Sequence, residues 1–261
     1  MPRYFIEVAY DGTQYGGFQI QKNANTIQAE VERALRVYYK KTYALTGSSR
    51  TDAGVHALQN YFHFDSDGEI TSAKNDIYHL NAILPDDICL KDFFRVPDEM
   101  HCRFDALSRD YKYHIYTDKD PFLRKTAYFF PFRLDVEQMQ QAAGILKEYE
   151  DFTSFSKRNT QVNHFICDVM VSEWTIGDSM LIYHVVANRF LRGMVKGLVG
   201  TMLRVGRGKL SLDGFRDVIT AKDCSKADFS VPSHGLFLTE VTLDKKLLPD
   251  NGLPDYSSPI S

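Results

Sequence analysis

The order of strand and helix signals predicts an α+β protein built on antiparallel sheet, in two halves that divide near residue 105. Three observations lead there. Strand-like and helix-like segments follow one another irregularly, without the steady βαβα rhythm that produces a doubly wound parallel sheet. The second half resembles the first in style. The chain has 261 residues, 44% hydrophobic and 25% charged, which suffices for one large domain or two modest ones around a buried core and is too apolar for a disordered chain.

The elements can be justified in order. Tyr4 to Tyr10 reads as a strand, broken by the Asp11-Gly12 turn signal. A loop rich in Gly, Gln and Asn runs to Asn25, which can cap a helix with Gln28 three residues on; Ile27, Val31, Leu35 and Tyr38 trace its buried face. Gly47 to Ala57 is a loop of charged and small residues leading into a strand near Asn60 to Phe64. A helix from about Ser72 to Leu84 is stopped by Pro85. In the second half come a strand at Tyr111 to Tyr116, a helix capped by Asp135 with Gln138 at its third position, and a strand at Met180 to Ala187. A basic helix beginning near Asn188, a short helix capped by Ser211 and a strand near Leu236 to Leu243 complete it. The expected organisation is an N-terminal half over 1–105, a C-terminal half over 106–245 and a poorly ordered tail over 246–261.

No apolar run approaches the roughly 18 residues a membrane helix requires. Glu7 interrupts the start where a signal peptide needs an apolar stretch, so the expectation is a cytoplasmic protein with no membrane partner. Cys89, Cys102, Cys167 and Cys224 are far apart with no C-x-x-C pair, which favours ordinary reduced thiols over a zinc knuckle or a disulfide framework.

The net charge of −3 argues by itself against nucleic-acid binding, because phosphate contacts supply most non-specific affinity. The average conceals a segregation. From Arg189 to Lys209 the chain carries Arg189, Arg192, Lys196, Arg204, Arg207 and Lys209 and no acidic residue, so this stretch is +6 and the remainder −9. A run of this kind is ordinarily a solvated helix face. At about 100° per residue, however, Arg189, Arg192 and Lys196 share one stripe, while Met194, Leu198 and Met202 supply a separate apolar side. Gly193 and Gly200 beside the stripe suggest that another backbone or a ligand approaches there. The stripe is expected to wall a site.

The densest cluster of reactive residue types is the loop Gly47-Ser48-Ser49-Arg50-Thr51-Asp52-Ala53-Gly54-Val55-His56-Ala57. An Asp near a Gly in a loop is commonly a turn residue, yet a turn needs neither the Arg before it nor the His after it. A carboxylate that works at neutral pH must stay ionised in a partly dry pocket, and a neighbouring cation favours that form; Arg50, Lys196 and Arg103 are candidates. Asp52 is the leading catalytic candidate. His56, His63 and His101 read as packing histidines.

These motifs carry a resemblance. The sequence resembles the TruA family of tRNA pseudouridine synthases over nearly its whole length. The carriers, in order, are Tyr10-Asp11-Gly12-Thr13-Gln14-Tyr15, Arg50-Thr51-Asp52-Ala53-Gly54-Val55-His56-Ala57, Asn81 to Pro85, Met100-His101-Cys102-Arg103-Phe104, Arg109-Asp110-Tyr111-Lys112-Tyr113, Asp151-Phe152-Thr153-Ser154-Phe155, Phe190 to Gly200 and Gly235-Leu236. The resemblance implies two α/β halves whose antiparallel sheets join across a central basic cleft, and a homodimer that grips RNA. It implies isomerisation of uridine to pseudouridine in the anticodon arm of tRNA, at positions 38, 39 and 40, with no cofactor and no metal. By the same resemblance Asp52 is the catalytic aspartate, Tyr111 the active-site tyrosine, Lys196 the basic partner of the carboxylate and Arg50 the residue that displaces the target nucleotide. Several positions depart from the family pattern: Ser49 stands for a glycine, Gln59-Asn60 for Gly-Gln, Phe18 for a tryptophan and Lys196 for an arginine.

The residue chemistry agrees. Isomerisation must break the N-glycosidic bond, turn the uracil and rejoin the sugar to C5, which calls for a carboxylate near the sugar and a surface to hold the base. Asp52 could attack C1′, add to C6 or remove the 2′ proton. Tyr111 offers a ring for stacking and a phenol that could take the C5 proton. A base inside a stem must be extruded, and Arg50 could fill the vacated stack. Arg189, Arg192, Arg204, Arg207 and Lys209 are candidates for phosphate contact. Two rivals stand beside this reading: a metal-dependent phosphohydrolase with Asp11, Asp52, His56 and His63 as ligands, and a catalytically idle RNA-binding module on the same fold.

Overall fold

The Asp11-Gly12 signal ends the first strand as expected: β1 (Arg3–Tyr10) stops where the Asp11 carboxylate accepts from Thr13 N at 2.9 Å and turns the chain. A computed structural model describes residues 1–158, 162–177 and 180–244; the expected tail, 246–261, lies outside the described residues. Helix α1 (Ile27–Tyr39) buries Ile27, Val31 and Leu35 as their spacing requires. Its cap is Thr26 rather than Asn25. The Thr26 hydroxyl accepts from Ala29 N at 3.3 Å, and the Gln28 side chain, instead of closing a capping box, donates to Leu45 O at 2.9 Å.

Strands β2 (Thr46–Gly47) and β3 (His56–Asp65) bracket the loop that carries Asp52. Helix α2 (Ala73–Asn81) ends three residues short of Leu84. There the Asn81 amide accepts from Leu90 N at 2.7 Å and donates to Leu90 O at 2.9 Å, fastening the helix end to β4 (Ile88–Val96). The second half runs β5 (Ala106–Tyr116), β6 (Tyr128–Phe129), α3 (Val136–Ile145), β7 (Val169–Ile176), β8 (Leu181–Ala187), α4 (Met194–Gly206), α5 (Leu212–Thr220) and β9 (Leu236–Leu243). The caps of α3 and α5 are the expected ones: Asp135 accepts from Gln138 N at 3.0 Å and Ser211 from Gly214 N at 3.0 Å. Strands β4 and β7 carry no clear sequence signal, and both are sheet edges, where one side of the strand lacks a neighbour and apolar alternation is interrupted by charge.

The basic helix is a correction. Helix α4 starts at Met194, not near Asn188, because Gly193 adopts a left-handed φ of 74° and breaks the helical path. Arg189 and Arg192 therefore precede the helix, and they share no helical stripe with Lys196. Gly200 serves internal packing: a Cβ there would lie 2.2 Å from Asp228 O. The close approach at Gly200 is by the protein's own backbone.

The sheet is mixed, in the order β4-β1-β3-β9-β5-β8-β7, with β2 added to β3 and β6 to β5. The neighbours along the main path are antiparallel except at one junction. That junction is β3 against β9, parallel and only two residue pairs long, His56↔Phe237 and Ala57↔Leu238. It joins the strands that precede residue 105 to those that follow it. A single row crosses four strands: Tyr10 opposite Ala57, Ala57 opposite Leu238, and Leu238 opposite Tyr111. Side chains in one such row point to one face of the sheet. His56, one residue away, points to the other face, where its ring stacks on Phe237 at 4.5 Å.

Candidate active site

The loop before β3 is fastened at Ser48, Ser49 and Thr51 and closed on itself at Asp52. Ser48 N donates to Tyr61 O at 2.8 Å. The Asn60 amide grips Ser49 from both sides, accepting from Ser49 N at 3.2 Å and donating to Ser49 O at 2.8 Å. Thr51 O accepts from Phe18 N at 3.1 Å, and Thr51 Oγ1 shares a 2.8 Å hydrogen bond with the Tyr10 phenol. Asp52 O accepts from Val55 N at 3.2 Å and closes a turn in which Gly54 has φ 76°. Asn60 thus holds Ser49 through its main chain alone, and the buried Ser49 hydroxyl has no hydrogen-bond partner among the described residues. The half-buried Asp52 side chain is held on a rigid ledge.

Tyr111 and Lys196 both feel the Asp52 charge. Burial drives the Tyr111 phenol well above the usual tyrosine range; Tyr10 and Asp52 add to that effect, and Arg109 opposes it. Tyr111 therefore stays a neutral phenol, its ring edge-on to Phe190 at 5.0 Å. Burial and the neighbouring Lys157 lower the Lys196 ammonium, while Asp52 raises it. Lys196 Nζ donates to Ser233 Oγ at 3.2 Å, so its influence on Asp52 is exerted through space and not through a contact ion pair.

A cationic rim adjoins these groups. Burial, then Arg50 and Arg189, destabilise the charge on Arg103, which places three guanidinium groups in one neighbourhood. Buried Arg109 donates to Arg103 O at 2.6 Å, Ala106 O at 3.0 Å and Asn188 O at 2.9 Å, tying the Arg103 turn to the segment that bears Arg189. Arg50 and Arg192 are exposed. Arg204, Arg207 and Lys209 lie elsewhere. Arg204 is about 12 Å along the α4 axis from Lys196 at 1.5 Å per residue, with Arg207 stacked 4.1 Å over Phe132 and Lys209 exposed beyond the helix end. The six basic residues of the segment thus divide between the two ends of α4.

The four ligands of the phosphohydrolase rival do not converge. His56 is held by Asp11 at 3.1 Å and by the Lys125 and His234 carbonyls, each at 3.1 Å. His63 belongs to a separate cluster with His101 and Cys102, the one group of potential ligand atoms that gather within 4.8 Å among the described residues. There one nitrogen of each ring is engaged: His63 Nδ1 meets Cys102 Sγ at 3.1 Å, and His101 Nδ1 accepts from Arg103 N at 3.1 Å. Burial pushes the Cys102 thiol up to about 12, and all four cysteines are free thiols.

Sequence reasoning missed Lys157, Phe190 and Ser233 as neighbours of the site, and Tyr10 as a support for it. Tyr10 had a signal, since a tyrosine ending a strand beside a turn is an aromatic with a polar tip to satisfy. Ser233 had none, being 37 residues from the lysine it meets.

A carboxylate, a neutral phenol and an ammonium, gathered near the β3–β9 junction of the single sheet and rimmed by arginines, can do acid–base work beside an anionic substrate. Comparison with known proteins gives the class. The family described as tRNA pseudouridine synthase matches residues 6–105 and 148–244. A protein named tRNA pseudouridine synthase A from Parabacteroides distasonis is 45% identical over 95% of this chain and 99% of its own. Proteins of the same name from Bacteroides fragilis (45% identical, 94% of this chain and 98% of its own) and Staphylococcus aureus strain MRSA252 (36%, 96% and 96%) extend the similarity. The chain belongs to the tRNA pseudouridine synthase family and is an isomerase that acts on tRNA.

Proposed function

We propose that this protein converts uridine to pseudouridine in the anticodon stem-loop of tRNA, at positions 38, 39 and 40, with Asp52 as the reacting carboxylate. The observation that carries the assignment of Asp52 is its place on a clamped loop, where its charge reaches both the Tyr111 phenol and the Lys196 ammonium. The N1–C1′ bond breaks, a C5–C1′ bond forms, the C5 proton leaves and N1 takes one up. The change is redox-neutral and needs only groups that hold and move protons, in keeping with a reaction that uses no cofactor. Attack at C1′, addition at C6 and removal of the 2′ proton all begin from an ionised carboxylate.

Tyr111 stacks against the uracil and, being neutral, passes on its own proton when it accepts the one from C5. Arg50 enters the stack vacated by the extruded nucleotide. Arg189 and Arg192 contact phosphates beside the site, and Arg204, Arg207 and Lys209 contact the backbone farther along. The protein works in the cytoplasm as a homodimer, with residues 1–105 supplying the aspartate and 106–245 the tyrosine and lysine. Among the described residues no helix is long and apolar enough to cross a membrane.

The test is Asp52→Asn. The variant should bind tRNA with little change while pseudouridine formation falls to background; undiminished turnover removes Asp52 from the mechanism. Mapping pseudouridine in bulk tRNA from cells lacking the protein reads the target positions directly, and a full complement at 38, 39 and 40 contradicts the proposed substrate.

A further inference from the structure

Beneath the Asp52 loop lies a buried polar relay that the reaction itself does not use. Asn60, fully buried on β3, spends its whole amide: Oδ1 accepts from Ser49 N and Tyr61 N, and Nδ2 donates to Ser49 O and to the Tyr10 phenolic oxygen at 3.1 Å. Having accepted from Asn60, the Tyr10 oxygen keeps one proton to give, and the acceptor in reach is Thr51 Oγ1 at 2.8 Å. Thr51 immediately precedes Asp52. Tyr10 also stands in the sheet row that contains Tyr111. One phenol therefore touches the loop that carries the carboxylate and shares a rigid row with the active-site tyrosine.

We propose that Tyr10 is a positioning residue for Asp52: its hydroxyl, braced by Asn60 and bonded to Thr51, sets the height of the Asp52 carboxylate above the sheet row that presents Tyr111. The inference rests on Asp52 being the reacting carboxylate. A displacement of about 1 Å at such a site can cost on the order of 100-fold in rate, so a hydroxyl that never touches substrate can still govern turnover.

The test separates positioning from stability. Tyr10→Phe should lower kcat by on the order of 10- to 100-fold while leaving KM for tRNA within about twofold. It also leaves the Thr51 hydroxyl and one Asn60 proton without a partner, so Tm falls. In the double variant Tyr10→Phe/Thr51→Val one of those orphans is removed and Tm recovers in part, because deleting both members of a buried pair is milder than deleting one. The double variant should nevertheless keep the low kcat. A Tyr10→Phe enzyme with kcat within about twofold of the parent, or a double variant whose kcat recovers along with Tm, overturns the proposal.

If Tyr10→Phe does not fold, Thr51→Ser and Thr51→Val carry the test. The serine keeps the hydroxyl and should turn over at least about tenfold faster than the valine; equal rates overturn the proposal. Asp52→Asn serves as the control. Activity in that variant defeats the assignment of the carboxylate and the relay with it, whereas an inactive Asp52→Asn beside a fully active Tyr10→Phe defeats the relay alone.

Discussion

The loop 47–57 and the segment 189–209 both carry charged side chains, and they are held in opposite ways. In the loop, Ser48, Ser49, Thr51 and Asp52 are each fastened through the main chain, and Thr51 through its side chain as well. In the segment the guanidinium groups meet soft partners: Arg189 a histidine ring nitrogen at 3.1 Å, Arg204 a carbonyl at 3.4 Å and Arg207 a phenyl face. Chemistry at a sugar carbon demands a fixed carboxylate. Recognition of an RNA backbone by shape and phosphate tolerates long side chains that adapt. The rigid loop and the compliant segment are therefore held by different bonds.

Lys196 stands between the two regimes, being basic yet half-buried against Ser233, and replacing it is the most severe way to break the comparison. Lys196→Met should lower kcat by on the order of 100-fold, with a smaller change in KM. Single-turnover kinetics on tRNA measures both, and a loss confined to KM would make Lys196 one more phosphate contact. The sign of its pH dependence follows from burial and Lys157, which lower its pKa. The ammonium is present below that pKa and lost as pH rises through it. The alkaline limb of kcat/KM should therefore lie below the range of an ordinary lysine, and Lys196→Arg should move it upward.

A smaller effect sharpens the division between the two ends of α4. Arg189→Ala should weaken tRNA binding several-fold and reduce the slope of log K against log salt by about one, as expected for a lost phosphate contact; Arg207→Ala should do roughly half as much. Filter binding over a range of salt reads both, and equal losses would mean that the RNA lies along the whole segment. The smallest effect concerns His63, which burial, the neighbouring His101 and Arg3 push down to about 4. With its folded pKa below the unfolded value of 6.5, His63 supports the fold above pH 6.5, and that support is lost as pH falls toward 4. His63→Gln should flatten the acid limb of stability in that window when urea midpoints are compared, without altering kcat at neutral pH.

Much of this was legible in the sequence, and what was not has identifiable causes. The β9 bounds, Leu236–Leu243, and the Asp135 and Ser211 caps follow from patterns a few residues long. Strands β4 and β7 escaped because edge strands are interrupted by charge and exposed apolar residues, so their alternation is broken. The basic stripe does not form because one left-handed glycine, Gly193, stops helical geometry from reaching Arg192 and Arg189. Asn25 lost the cap of α1 to Thr26, whose hydroxyl is the one that reaches Ala29 N.

By itself the sequence determined what short-range chemistry can determine: strand period, helix caps, the composition of the Asp52 loop and the membership of a family. Only the tertiary structure decided which distant groups share that loop's surroundings. Tyr10 beneath Thr51 depends on the β1–β3 register, Ser233 at Lys196 on how α4 packs beside the turn before β9, and His56 turned to the face opposite the Tyr10–Tyr111 row on the β3–β9 junction. Register is a relation between segments far apart in the chain, set by how whole faces pack, and no local pattern encodes it.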